Sequence, residues 1–174
     1  MMKNFKEKLH DVKAFAFDVD GVFTDGDVII YPSGELVRTT NTRDGYAVHK
    51  AIQQGFPVAI ISGGKSEAVR ERFKGLGVTD IYLGATDKVE ALDDFRFKHG
   101  IELDQIVYMG DDIPDYEVMK RVGFPTCPSD AATEIIAISS YISSYAGGKG
   151  CVRDIIEQVL KLKGAWVNSD NYKQ

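Results

Sequence analysis

Five short apolar runs, separated by stretches with helical spacing, constrain this chain more than any other feature. "KAFAFDVD" (13–20), "PVAII" (57–61), "DIYLG" (80–84), "QIVYMG" (105–110) and "GFPTC" (123–127) each read as a buried strand, and "SYIS" as a short sixth. Between them lie helical patterns. "DGYAVHKAIQQG" (44–55) brings Val48, Ala51 and Ile52 to one face and ends on a glycine. "KSEAVRERFKGLG" (65–77), "DKVEALDDFRFKHG" (87–100), a segment from about 114 to 122, "DAATEIIAI" and "VRDIIEQVLK" (152–161) follow. Strands alternating with helices imply right-handed crossovers, hence a parallel sheet with helices on both faces. The exception is 27–40, where "DVIIY" and "ELVRTT" flank Pro-Ser-Gly and read as a β-hairpin. No repeat or linker divides the 174 residues, so residues 1–174 are expected to form a single domain, with a C-terminal tail from about 164 to 174.

In a parallel sheet, ligands bind beyond the carboxyl ends of the strands. The first strand ends in Asp18 and Asp20, two apart, so an extended backbone points both carboxylates the same way. Gly21 then permits a sharp turn. Ser62 and Gly63 follow the second buried strand, Lys88 lies beyond the third, and Asp111, Asp112 and Asp115 follow the fourth. Taken singly, each acid is an ordinary turn or first-turn residue. Together they demand a cation, because two carboxylates about 4 Å apart repel by ~4 kcal/mol at an effective dielectric near ~20. Asp18, Asp20 and Asp111 offer only oxygen, which suits the hard ion Mg²⁺. Lys88 stands in a helix first turn, where a cation is locally unfavourable by about 0.3–1 kcal/mol. That local conflict marks a functional site, at which the lysine neutralises a phosphate and an aspartate at once.

Gly64-Lys65-Ser66 looks like the tail of a nucleotide-binding phosphate loop. That loop needs a glycine at position 59, where this chain has Ala59, and Ile60 and Ile61 continue the strand. What is left, a hydroxyl at Ser62 and a backbone N–H at Gly63 ahead of a helix, suffices to grip one phosphoryl group.

Composition narrows the partners. A net charge of −5 argues against nucleic acid and requires a local cationic site for an anionic substrate. No apolar run approaches the ~20 residues of a membrane span, and the charged N-terminus is unlike a signal peptide. Cys127 and Cys151 lack metal-site or redox-motif spacing and read as buried, reduced thiols, so the cytoplasm is the expected location.

"DVDGVFTDG", "IISG", "DK" at 87–88 and "GDDIPD", in that order, resemble the haloacid dehalogenase superfamily of phosphatases. More finely, "GVFTDG", the hairpin, "RDGYAV", "SGGKSEAVRERFKGLG", "YMGDDIPDYEVMKRVG", "SDA" and "AGGKGCVRDIIEQVL" resemble its 3-deoxy-D-manno-octulosonate 8-phosphate (Kdo-8-P) phosphatase subfamily. The resemblance implies an α/β, three-layer Rossmann-like fold with a hairpin insertion and no separate cap domain. It implies a homotetramer in which hairpins pack on neighbours and adjacent subunits cover each active site, with the tail reaching a neighbour. It also implies that Asp18 is the nucleophile, Asp20 the general acid and then base, and Ser62 and Lys88 the phosphate ligands. Asp18, the carbonyl of Asp20, and Asp111 hold Mg²⁺, with Asp112 or Asp115 in support. Lys65 and Arg72 match basic positions for the sugar acid's carboxylate, while Thr24, Arg43 and Asp44 face hydroxyls. Gly64 stands where the subfamily carries a long charged side chain, which leaves a 2-keto-3-deoxynononate 9-phosphate open as the alternative substrate. A receiver-like phosphoacceptor module is the rival from another class, but it carries its acceptor Asp alone on a strand rather than in D-x-D on the first one. For Gly147–Gly150 two readings stand: a turn capping the last helix, or a backbone approach to substrate.

Overall fold

The computed structural model describes residues 5–167. After a single helical turn, α1 (Phe5–Lys8), the chain enters β1 (Ala14–Phe17) and then a hairpin of β2 (Ile29–Ile30) and β3 (Leu36–Val37). The remaining elements are α2 (Thr42–Gln53), β4 (Val58–Ser62), α3 (Glu67–Gly75), β5 (Asp80–Leu83), α4 (Lys88–His99), β6 (Ile106–Met109), α5 (Tyr116–Met119), β7 (Phe124–Cys127), α6 (Thr133–Ile138), β8 (Tyr141–Ile142) and α7 (Cys151–Leu162).

Six strands form one sheet in the order β5-β4-β1-β6-β7-β8, and every pairing is parallel. β1 lies inside it, with Phe15 opposite Val58 on one side and Val107 on the other. Its side chains alternate between the two faces. Phe15 and Phe17 join a core with Val48 of α2, Phe73 of α3 and Ile155 and Ile156 of α7. Ala14 and Ala16 face Leu92 and Phe95 of α4, Met119 of α5 and Ile135 of α6. Both faces are covered, which is why the strand runs are apolar throughout rather than alternating. This is the expected three-layer α/β architecture, and among the described residues the insertion after β1 is the hairpin alone, with no cap domain.

Several boundaries differ from the sequence reading, each for a local reason. Helix α2 begins at Thr42 because the Asn41 side chain caps it, accepting the Arg43 and Asp44 N–H groups. Helix α3 begins at Glu67 because the Ser66 hydroxyl accepts the Val69 N–H, which leaves Lys65 in the loop. The helix expected over 114–122 is a 3₁₀ turn (Ile113–Asp115) followed by one turn of α5. There the chain bends so that Asp115 can reach backward into the site described below. The hairpin strands pair over two residues each, Ile29 with Val37 and Ile30 with Leu36. Most of the expected tail, 168–174, lies outside the described residues, but Trp166 within it is well placed. It is buried, with its ring edge-on to Tyr46 and beneath the Arg153 guanidinium.

Candidate active site

At the carboxyl end of the sheet a cleft of about 530 Å³ is lined by Asp18, Asp20, Ser62, Gly63, Lys88 and Asp111, among others. These residues leave four different strands, so the parallel arrangement alone brings them together. Asp18 continues β1 with its N–H on the Met109 carbonyl at 3.0 Å. The chain then turns tightly, the N–H groups of Val22 and Phe23 returning to the Val19 carbonyl. Gly21 sits in the turn at φ +80°, and a Cβ there would lie 1.8 Å from Asp111 Oδ2. The Asp111 carboxylate therefore rests directly against the backbone that follows Asp20.

Lys88 enters from the first turn of α4, capped by Asp87. Its Nζ lies 2.9 Å from Asp18 Oδ2 and 2.7 Å from Asp115 Oδ1. An ammonium has three donors, so two pairs leave one for a ligand. Burial opposes the charge on Lys88, but Asp18 and Asp115 outweigh it and raise its pKa. Asp115 is the hub of this side of the cleft. It is fully buried, also accepts the Tyr108 hydroxyl at 2.8 Å, and takes the Asp111 N–H at 3.1 Å through its other oxygen. A Cβ at Gly110 would strike Asp115 at 2.4 Å, so that glycine leaves room for the hub.

The site is over-supplied with negative charge. Burial first, and Asp115 next, push the Asp18 carboxyl up to about 8. Burial, Asp115 and Asp112 push Asp111 up to about 7. Oxygens of Asp18, Asp111 and Asp115 all lie within 4.8 Å of one another. Asp115 is already committed to Lys88, Tyr108 and a backbone N–H, so Asp18 and Asp111 are the carboxylates placed to share a divalent ion. Their oxygen-only chemistry fits Mg²⁺.

The Ser62 hydroxyl accepts the Gly64 N–H at 3.1 Å, so its own proton is free to donate to an oxyanion. Arg38, from the end of the hairpin, grips Asp20 with two bonds: Nε to Oδ1 at 2.5 Å and Nη2 to Oδ2 at 3.1 Å. Nothing local in "ELVRTT" marks this arginine, because only the tertiary fold brings it to Asp20, 18 residues away in sequence.

The proposed sugar contacts are placed differently. Thr24 is buried, its hydroxyl accepting the Gly21 and Gly26 N–H groups, so it braces the turn and does not face a ligand. Asp44 is buried at the seam of α2 and α7, where it accepts the Arg153 N–H at 2.8 Å and caps α7 from across the seam. Arg43 lines a separate hollow of about 880 Å³ beside Arg153 and Lys149. The Arg72 guanidinium lies against Gly45 of α2, and Lys65 runs its stem along Gly84. None of these five lines the cleft of its own chain. The Gly147–Gly148 turn packs against the back of the catalytic turn. A Cβ at Gly147 would lie 2.0 Å from the Gly21 carbonyl, and the Gly148 N–H bonds the Val22 carbonyl. Gly150 precedes α7, so the helix-cap reading holds for that residue, while Gly147 and Gly148 approach the catalytic turn rather than a ligand.

A parallel sheet with D-x-D leaving an inner strand, faced by a lysine from the third helix after that strand, defines a hydrolase of the haloacid dehalogenase type. Residues 72–155 match the haloacid dehalogenase-like hydrolase family. The Kdo-8-P phosphatase of Escherichia coli K12 is 35% identical over 157 residues, covering 90% of this chain and 84% of its own. The crystal structure of that phosphatase from Yersinia pestis superposes with a TM-score of 0.90 at 30% identity, over 92% of this chain and 87% of the other. A Moraxella catarrhalis structure in complex with magnesium, phosphate and KDO superposes at 0.88 with 35% identity, over 92% of each chain. The chain belongs to the Kdo-8-P phosphatase family, whose members are phosphoric monoester hydrolases.

Proposed function

We propose that this chain is a Mg²⁺-dependent phosphatase acting through an aspartyl-phosphate on the phosphate ester of a 2-keto-3-deoxy sugar acid, with Kdo-8-P as the first candidate. The observation that carries the reading is the placement of Asp18 between Lys88 and Asp111 at the end of an inner strand. Asp18, the Asp20 carbonyl, and Asp111 would hold the ion, which when bound lets an anionic carboxylate approach an anionic phosphate.

An Asp18 oxygen attacks phosphorus, the bond from phosphorus to the sugar oxygen breaks, and Asp20 gives that oxygen its proton. Water then attacks phosphorus and passes a proton to Asp20. The bond to Asp18 breaks and inorganic phosphate leaves. Ser62, the Gly63 N–H and the third donor of Lys88 hold the phosphoryl oxygens, where charge spreads in the transition state.

The same reading takes residues 1–174 as one hydrolase domain and places it in the cytoplasm, where two buried free thiols are at home. It also takes the chain as a homotetramer. The hairpin exposes Ile29, Ile30, Tyr31 and Leu36, a patch suited to burial against another copy. Arg43, Lys65 and Arg72, which lie outside the chain's own cleft, are then free to complete a neighbour's site. Gly64, which offers no side chain to read the sugar, favours testing the nine-carbon substrate too. The deciding experiment is steady-state kinetics on Kdo-8-P against 2-keto-3-deoxynononate 9-phosphate, each with and without EDTA, beside Asp18→Asn. Turnover that survives EDTA or Asp18→Asn overturns the reading. A long-lived phosphorylated chain that releases no phosphate would point to the receiver-like module instead.

A further inference from the structure

We propose that Arg38 is the positioning residue for Asp20, delivered to the cleft by the hairpin. The proposal rests on the reading of Asp20 as general acid and base. Asp20 stands in a turn, its side chain is 39% exposed, and no other side chain bonds it among the contacts described above. A carboxylate in that position samples several rotamers unless something holds it. The Arg38 fork holds both oxygens at once, the geometry in which a guanidinium fixes the plane of a carboxylate as well as its place.

Arg38 is itself held. Its side chain is 11% exposed, and its Nη1 donates to the Leu36 carbonyl at 3.2 Å. The gap left around it, bounded by Gly64, Ser66, Val69 and Leu83, is about 10 Å³, at the lower limit for a single water. Gly64 flanks this pair: a Cβ there would make ordinary contact, 3.8 Å from both Arg38 Nη2 and Asp20 Oδ2, so a small residue fits beside the guanidinium. A long side chain at 64 would compete for the space the guanidinium fills. Two of the four lone-pair sites on Asp20 are taken by the fork, and the others stay available to carry a proton toward the leaving oxygen or to accept one from water.

A residue that acts through the general acid matters most when the leaving group needs a proton. An alkyl ester of a sugar needs one, whereas p-nitrophenol departs as a stable anion. The test compares Arg38→Met, Arg38→Lys and Asp20→Asn on Kdo-8-P and on p-nitrophenyl phosphate. The expected result for Arg38→Met is a fall in kcat/KM of about 10²-fold on the sugar ester, within the range for general acid catalysis, and a far smaller fall on p-nitrophenyl phosphate. Arg38→Lys keeps the charge without the fork and should recover part of the loss. Asp20→Asn should show the same selectivity, more strongly. Equal losses on both substrates, or none, for Arg38→Met while Asp20→Asn stays selective would overturn the role of Arg38 alone. An unselective Asp20→Asn would overturn the reading of Asp20, and the proposal with it.

Discussion

Lys88 Nζ and Asp115 Oδ1 meet at 2.7 Å across 27 residues of sequence, and both side chains are almost fully withdrawn from water. Removing one partner of a buried pair leaves an uncompensated charge, the costly way to break it. Asp115→Asn keeps the shape but removes one counter-charge from Lys88 and replaces one acceptor oxygen by an NH2 donor, so that either Tyr108 or the Asp111 N–H loses its acceptor. Stability should fall by about 1.5–3 kcal/mol, the range for hydrogen bonds to charged groups, with kcat reduced more than tenfold as Lys88 shifts toward Asp18. Thermal melts and kcat on one substrate check both.

Divalent ion binding should release protons near neutral pH. Without an ion, Asp18 is raised to about 8 and Asp111 to about 7, so both are largely or half protonated at pH 7. Ligation requires the carboxylates, and the protons must leave. Mg²⁺ affinity should therefore rise with pH up to about 8 and level off above it. Titration calorimetry at pH 7 in buffers of different ionisation enthalpy should report release of roughly one to two protons. Affinity that does not change between pH 6 and 8 would contradict the geometry.

Gly21→Ala should abolish most activity while leaving the sheet intact. A Cβ would fall 1.8 Å from Asp111 Oδ2, and φ at this position is +80°. The backbone strain alone costs of order 1–3 kcal/mol, and the clash drives Asp111 away from the ion it would share with Asp18. The expected signature is a modest drop in melting temperature, unchanged far-ultraviolet circular dichroism and a rise in the Mg²⁺ concentration needed for half-maximal rate.

Asp80 provides an acid-sensitive contact remote from the cleft. Its side chain is 2% exposed, and burial alone would raise its pKa. Lys98, His99 and Thr79 bond it and together lower it instead. A carboxyl depressed on folding contributes stability above its unfolded value and loses it as pH falls through the folded one. Asp80→Asn should cost about 1–3 kcal/mol at pH 7. The difference from the parent should narrow as pH drops below about 4. Denaturant unfolding at pH 7, 5 and 3.5 measures that convergence.

Much of this molecule was legible in its residues because the relevant forces act over a few positions. A strand buried on both faces reads as a continuous apolar run and a half-buried helix as a stripe of period 3.6, so the helices and strands could be named, and with them the parallel class. The acids, Ser62 and Lys88 were legible for a further reason: a parallel sheet carries the end of every strand to one edge, so sequence position after a strand becomes position in the cleft. Boundaries slipped where a single side chain decided them, as Asn41 and Ser66 did.

What the chain alone determined is thus the layering and the row of strand-end groups, both consequences of short-range pattern. Only the tertiary structure decided which polar residues serve the fold and which serve the cleft. Thr24, Asp44 and Arg72 carry no local sign of the backbone they brace or rest on, and Arg38 and Tyr108 carry none of the carboxylates they reach. Those contacts join residues of different elements in space, and a hydrogen bond is made over about 3 Å of distance, whatever the number of residues between its partners.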